Sequence, residues 1–422
     1  MLALTTDFIL IESASEIWRS LSFQAGYNAS IVTLGVTFLG AASGLLGCFT
    51  VLRKRALMSD ALAHSALPGL ALTFIIVTSL GADARNLIVL LLGAALSASL
   101  GIICVQFISR KTRLTEDSAI GAVLSVFFGA GIVLLSYIQN MGTAQAAGLQ
   151  TFIYGQAAAL RLSDMFLTIC LTFLAVAVCV LLLKEFRLVC FDPEFAASQG
   201  WRVNLIDLIM MGLLILIIVI GLQSVGLILI VALLVIPPAT ARFWTEDLKV
   251  MLVISSVCGA LSAYIGTNLS TIIPHLPTGA VIVVSAGCLF VTSLLIAPQR
   301  GLIATALRNL ALRVKVSEDH ILRAAYEIAE QNGDLSGEIS LDRVRPLKDW
   351  SNYSRKVLLL VARFRNLIRV DFVGRAIFLT PHGLRRAIEL VRNHRLWEEY
   401  LLHYSGISAS HVDFSADFVE HI

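Results

Sequence analysis

Up to residue 300 the chain is a succession of long apolar stretches separated by short polar turns. A bilayer core needs about 20 apolar residues per helix. On that length the stretches 29–52, 60–81, 86–108, 117–139, 163–184, 205–222, 224–243, 249–270 and 277–297 predict nine spans. The segment 143–160 is apolar but short and rich in Gly and Ala, and it reads as an interfacial or re-entrant piece. Small residues cluster in several spans: Gly40-Ala41-Ala42-Ser43-Gly44 in the first, and Gly93, Ala94, Ala95, Ser97 and Ala98 in the third. Small side chains let helices approach closely in lipid, so a compact bundle is predicted.

Beyond residue 300 the pattern changes to amphipathic helices and short alternating runs. An amphipathic stretch covers 318–331, and Val357, Leu360, Val361 and Phe364 share one face of a helix over about 351–367. Two runs, 367–370 and 375–379, flank Asp371-Phe372-Val373-Gly374 and predict a hairpin. Thr380 then caps a long helix with Pro381 at its first position. Helix, helix, hairpin, helix is the order of a winged-helix module. The predicted fold is therefore an all-α polytopic membrane protein of about nine transmembrane helices with a C-terminal cytoplasmic winged-helix-like domain. Its predicted parts are a transmembrane domain over 1–300, a linker over 301–316 and the soluble domain over 317–422.

Composition supports this division. Only 14% of the 422 residues are charged and 57% are hydrophobic, far from the quarter charged of a soluble domain. Residues 1–300 hold 15 Lys and Arg and 14 Asp and Glu, whereas 301–422 hold 17 and 15. The seven Cys lie in the apolar part without paired spacing and read as small core residues, not a disulfide framework. The N-terminus carries no basic region followed by an apolar run and a cleavage site, so no cleaved signal peptide is expected. Basic residues follow alternate spans: Arg53-Lys54-Arg55, then Arg110, Lys111 and Arg113, then Lys184 and Arg187, then Arg242 and Lys249, then Arg300. With nine spans all five loops share one side, which places the N-terminus outside and the charged tail in the cytoplasm. The location read from this is a membrane that the chain crosses several times.

Two features of the apolar part bear on chemistry. Asp60 and His64 are four residues apart and share a helix face. Ionisable groups inside a membrane helix are costly and mark pathways, and a carboxylate with an imidazole suits Mn2+, Fe2+ or Zn2+. A structural hydrogen bond between helices is the alternative on spacing alone. The loop 191–200 is short and amphipathic, with Asp192 able to cap a helix and Pro193 placed at its first position.

These features fall in stretches that resemble a known family. Val51 to Gly69, with Ser59-Asp60-Ala61-Leu62-Ala63-His64 at its centre, is similar to the signature of permeases from zinc, manganese and iron ABC importers. Phe152-Ile153-Tyr154-Gly155-Gln156, Phe191-Asp192-Pro193-Glu194-Phe195-Ala196-Ala197-Ser198-Gln199-Gly200 and Val225 to Ala241 match further stretches of that family in order. The resemblance covers about residues 20–300 and implies that the domain over 1–300 is a metal permease. It implies that Asp60 and His64 line the metal path and that Asp192, Pro193, Glu194, Ala197 and Gly200 belong to a helix coupling to an ATPase. It also implies an extracytoplasmic metal-binding protein and a second permease chain as partners. The sequence has no G-x-x-x-x-G-K-[ST] phosphate loop, so ATP hydrolysis is assigned to a separate chain and no organic cofactor is expected.

In the tail, nine basic residues between 343 and 375 face two acids. Arg355, Lys356, Arg363 and Arg365 among them suit either a DNA phosphate backbone or an anionic lipid surface. His394 and Glu398 are four apart on one predicted helix face. Asp417, Glu420 and His421 share another. Both groups read equally as metal ligands or as surface ion pairs. The stretches Leu360 to Phe364, Leu379 to Gly383, Arg392 to Leu401 and Ala416 to His421 resemble the iron- and manganese-dependent repressors related to the diphtheria-toxin repressor. That resemblance implies metal-ligand positions at Asp319, His394, Glu398, Asp417, Glu420 and His421. Leu322 departs from it, standing where the manganese sensors carry an acid. The oxygen-rich set ranks manganese first, then iron, then zinc. Two functions compete: a metal importer with a fused metal sensor, and a membrane-anchored metal-responsive transcription regulator. A permease for an organic metal complex is a third, without need of ligands for a bare ion.

Overall fold

The structure is a computed structural model, and it describes residues 26–81, 87–140, 162–273, 276–334, 337–340, 352–371 and 376–404. The chain divides into two compact units, 1–304 and 305–422.

The described residues of the first unit form helices joined by short turns. The helices are α1 (Tyr27–Leu52), α2 (Ala56–Ser79), α3 (Leu87–Lys111), α4 (Glu116–Asn140), α5 (Leu162–Leu181), α6 (Leu183–Phe191), α7 (Pro193–Ser198), α8 (Val203–Ser224), α9 (Leu227–Arg242), α10 (Leu248–Ile272) and α11 (Thr278–Ile296). Eight of these are long and apolar enough to cross a bilayer: α1 to α5, α8, α10 and α11. The ninth expected span, 224–243, is the shorter apolar helix α9 of 16 residues, about 24 Å at the helical rise. It is short because α8 runs on to Ser224, and the chain turns at Gly226, whose φ of 85° favours glycine. Pro237 and Pro238 lie within α9. The segments 143–160 and Phe152–Gln156 lie outside the described residues.

Small residues fix the packing. A Cβ on Gly40 of α1 would stand 2.5 Å from the carbonyl oxygen of Gly259 in α10, and Gly44 meets the backbone of Ser255 in the same way. Ser255 Oγ donates to the Gly44 carbonyl at 2.6 Å across the seam. A second seam joins α2 to α3 where Gly69 meets Gly93 and Ser97. These are backbone-to-backbone approaches that larger residues would block. Around them lies one continuous core that includes Phe49, Met58, Leu62, Leu67, Phe74, Phe186 and Leu214.

The second unit begins inside the 30-residue helix α12 (Leu302–Gln331). The segment 301–316, expected as a linker, is helical from Leu302, because no Gly or Pro interrupts the chain between 302 and 331. There follow β1 (Ile339–Ser340), α13 (Asn352–Phe364), β2 (Ile368–Asp371), β3 (Ala376–Leu379) and α14 (Pro381–Tyr404). The predicted hairpin is present: β2 pairs antiparallel with β3, with Ile368 opposite Leu379 and Asp371 opposite Ala376. Strand β1 adds to the other edge of β3, Ile339 opposite Ile377. Thr380 caps α14 as expected, its hydroxyl accepting from the Gly383 amide at 3.0 Å. Ile321, Leu322, Ala325, Leu358, Leu359, Ala362, Ile368, Ile377 and Ala387 form the core of this unit. Leu322 is thus a core residue.

Candidate functional site

Helix α2 carries the first site. Its N-terminal half carries small buried residues, Ser59, Ala61, Ala63, Ser65 and Ala66, around the two polar side chains. Asp60 Oδ1 lies 3.2 Å from His64 Nε2, with both side chains half-buried. The imidazole stands edge-on to Phe128 of α4, ring centroids 4.7 Å apart. Its Nδ1 is buried and has no hydrogen-bond partner among the described residues. One turn further on, Pro68 removes a backbone donor from α2. The arrangement offers one carboxylate and one imidazole to a cation, with the second ring nitrogen lacking the usual orienting partner.

Near the start of α2 lies an ion cluster that sequence reading missed as a unit. Arg53 and Arg55, in the turn between α1 and α2, both reach Asp207 of α8, Arg55 Nη1 at 3.3 Å from Oδ2. Arg55 Nε also meets Glu116 Oε1 at the start of α4, 2.7 Å away. Lys54 between the two arginines has φ of 58°. Asp207 is 6% exposed, a buried charge that two guanidiniums compensate. The one available signal was a lone Asp inside an otherwise apolar helix.

The loop predicted to couple folds as expected. Asp192 Oδ1 accepts from the Phe195 amide at 2.8 Å, Pro193 starts α7, and Gly200 takes φ of 83°. Ala196 is buried, while Glu194, Ala197 and Gly200 are exposed. Phe191, Phe195 and Trp201 are exposed large hydrophobics around the same short helix. An open groove of about 590 Å³ runs beside it, lined by Lys184, Arg187, Phe191, Asp192, Glu246 and Asp247. Arg300 holds the Glu246 carboxyl below the usual carboxylate range by a hydrogen bond at 2.5 Å.

The tail holds the second site. His394 on α14 is 3% exposed. Its Nε2 lies 3.4 Å from Glu398 Oε1, and its Nδ1 lies 3.0 Å from Nη1 of Arg323 on α12. Asp319, one turn before Arg323, is 3.5 Å from Arg386 of α14. Next to it Glu318 is buried and meets Arg365 at 2.8 Å. Burial pushes the Glu318 carboxyl up, against the pull of Arg365. An imidazole and a carboxylate one turn apart fit a divalent metal in chemistry and spacing. Among the described residues no three His, Cys, Asp or Glu side chains converge on one point. Asp417, Glu420 and His421 lie outside the described residues. Of the basic set, Arg363 is exposed and Arg365 pairs with Glu318. Arg355 and Lys356 fall on α13, and their side chains are outside the described residues.

Known proteins share the sequence and the fold of this chain. The model of the ABC 3 transport family matches residues 27–297. That of the iron dependent repressor, metal binding and dimerisation domain matches 380–422. The manganese transport system membrane protein MntC of Bacillus subtilis is 39% identical over 389 residues, 92% of this chain and 86% of that protein. An alignment of that length extends past the first unit into the second. The zinc transport system membrane protein TroC of Treponema pallidum is 38% identical over 277 residues, 66% of this chain and 91% of its own. Among solved structures, PsaBC from Streptococcus pneumoniae in complex with Fab superposes with a TM-score of 0.58 at 31% identity, covering 68% of this chain and 97% of that one. An inward-facing metal-chelate type ABC transporter shares the fold at a TM-score of 0.52 and 15% identity. With nearly all of the membrane unit matched, and with relatives of this identity along most of its length, the chain belongs to the ABC 3 transport family of membrane permeases.

Proposed function

We propose that this chain is the permease subunit of an importer that moves a divalent transition metal, Mn2+ first and Fe2+ or Zn2+ next, into the cytoplasm at the expense of ATP. The observation that carries the reading is the Asp60–His64 pair on α2, with a buried imidazole nitrogen that has no hydrogen-bond partner among the described residues. Such a nitrogen is costly unless a ligand meets it. The relatives named for manganese and zinc transport support a metal as cargo. The carboxylate favours the harder Mn2+ over Zn2+.

A separate ATPase supplies the energy, and the capped helix α7 with its exposed Phe195 is the surface that would meet it. An extracytoplasmic metal-binding protein delivers the ion, and a second permease chain completes the channel. With α9 counted as the ninth crossing, the basic loops favour an outside N-terminus and a cytoplasmic second unit. There that unit reads metal through Asp319, His394, Glu398, Asp417, Glu420 and His421 and adjusts import to supply. DNA binding through Arg355, Lys356, Arg363 and Arg365 is the second reading. It is favoured by α13 standing directly before the β2–β3 hairpin, the order of a winged helix.

The test is uptake into vesicles that hold the chain with its ATPase, with Mn2+, Fe2+ and Zn2+ in competition. Asp60→Ala and His64→Ala should each abolish uptake at normal insertion. Wild-type uptake in both variants would remove the pair from the path.

A further inference from the structure

The hydrogen bond between His394 and Arg323 bears on how His394 could meet a metal. A neutral imidazole has one N–H and one lone pair, and a guanidinium can only donate. Arg323 Nη1 stands 3.0 Å from His394 Nδ1, so Nδ1 must present its lone pair. The N–H is then on Nε2, the nitrogen that stands 3.4 Å from Glu398 Oε1. A metal between Nε2 and Glu398 needs the opposite tautomer, with Nδ1–H aimed at the guanidinium donor. A metal on Nδ1 needs the space that Nη1 occupies. By either route the guanidinium has to leave first.

Arg323 is held where it is. It is 8% exposed, and its Nε donates to Glu327 Oε1 at 3.1 Å one turn along α12. Burial keeps water from replacing its bond to His394 cheaply. We propose that Arg323 is a latch on the tail's metal site: it fixes His394 in a tautomer that cannot ligate, and so sets the metal concentration at which the tail responds. This rests on the reading of His394 and Glu398 as metal ligands. It adds a residue that opposes the metal, supplied by a different helix from His394 and Glu398. Because Arg323 lies on α12 and His394 on α14, metal entry would uncouple a bond between the two helices.

The experiment uses the full chain in detergent, with Asp60→Ala and His64→Ala in the background to remove the membrane pair. Free Mn2+ is followed by its electron paramagnetic resonance signal during titration. Arg323→Gln places an amide oxygen that can accept Nδ1–H, and should tighten Mn2+ binding at least about tenfold, the scale of one charge-assisted hydrogen bond. Arg323→Lys keeps a donor and should stay within about twofold of the parent on the same reasoning. Arg323→Met removes the donor at similar volume and carries the same expectation as glutamine should that variant lose its helical content. His394→Ala should abolish the gain. Binding by the parent that Arg323→Gln and Arg323→Met leave unchanged or weaken overturns the latch alone. No Mn2+ bound by the parent or by any Arg323 variant overturns the ligand assignment and the latch together.

Discussion

Arg55, in the turn after α1, places its Nε 2.7 Å from the carboxylate of Glu116 at the first residue of α4. The same guanidinium reaches Asp207 on α8, where Arg53 also ends. Three separate stretches of the membrane unit are thereby fixed at one edge, next to the start of the helix that carries Asp60 and His64. Asp207→Asn should leave two guanidiniums without their shared anion. Breaking a buried pair costs about 3 kcal/mol at the low end of the usual range, which suits arginines that keep 13% and 20% exposure. Thermal unfolding in detergent should show a clear drop, with Asp207→Glu retaining more of the stability than Asp207→Asn. An unchanged midpoint in Asp207→Asn at full expression would mean the cluster contributes nothing.

The seam between α1 and α10 offers a different kind of test. Gly40 and Gly259 face each other backbone to backbone, each with the other's carbonyl oxygen where a Cβ would stand. Gly40→Leu must push the helices apart, and neither partner atom is a flexible side-chain end. Overpacking of this kind typically costs about 1–3 kcal/mol, occasionally more, and here both sides are backbone. The expected result is poor accumulation of the variant in the membrane or a lowered unfolding temperature. Gly287→Leu on α11, where a Cβ meets nothing within 4 Å, is the control and should behave as wild type.

How much of this was readable from residues alone differs by element. The spans were legible because lipid leaves one periodicity-independent signal, a long apolar run. The caps at Asp192 and Thr380 were legible because their hydrogen bonds are local. Strand β1 was not, since two residues carry no alternation and the pairing of Ile339 with Ile377 is made only by the fold. The Arg53–Arg55–Asp207–Glu116 cluster was not legible either. Its members lie up to 154 positions apart, and basic residues in a loop between spans carry a topology signal of their own. Asp60 and His64 were found because helical spacing alone brings them together. The opposition of Arg323 to His394 needed the structure, because it crosses 71 positions.

Helix α7 should touch the ATPase. Its cap sets the helix, and its exposed face carries Glu194, Phe195 and Ala197. Cysteines placed at Glu194 or Ala197 should crosslink to a co-expressed ATPase, whereas one at buried Ala196 should not. Phe195→Ala should lower ATP-driven uptake while leaving insertion intact, because an exposed aromatic anchor is the kind of residue that carries interface affinity. Crosslinks forming only from other loops would move the coupling surface elsewhere.

The tail's response to metal should depend on protons. Imidazole and carboxylates bind a divalent ion only when deprotonated, so each proton gained on acidification competes with the metal. In the full chain with Asp60→Ala and His64→Ala, Mn2+ affinity should therefore fall steadily as pH drops from about 8 toward about 5.5, a range that spans the ordinary histidine value of roughly 6.5. The double change Glu420→Ala and His421→Ala should abolish that binding, since it removes one ligand of each kind from the proposed set. Glu398→Gln should weaken it further than Glu399→Gln, whose neighbour is the exposed His403 and not His394. Mn2+ binding that is flat across this pH range, or that survives the double change unaltered, would sink the ligand set. Binding that follows pH but leaves the affinity of the chain for DNA untouched would assign the signal to transport, and the winged-helix order of the second unit would then be a scaffold for the metal site alone.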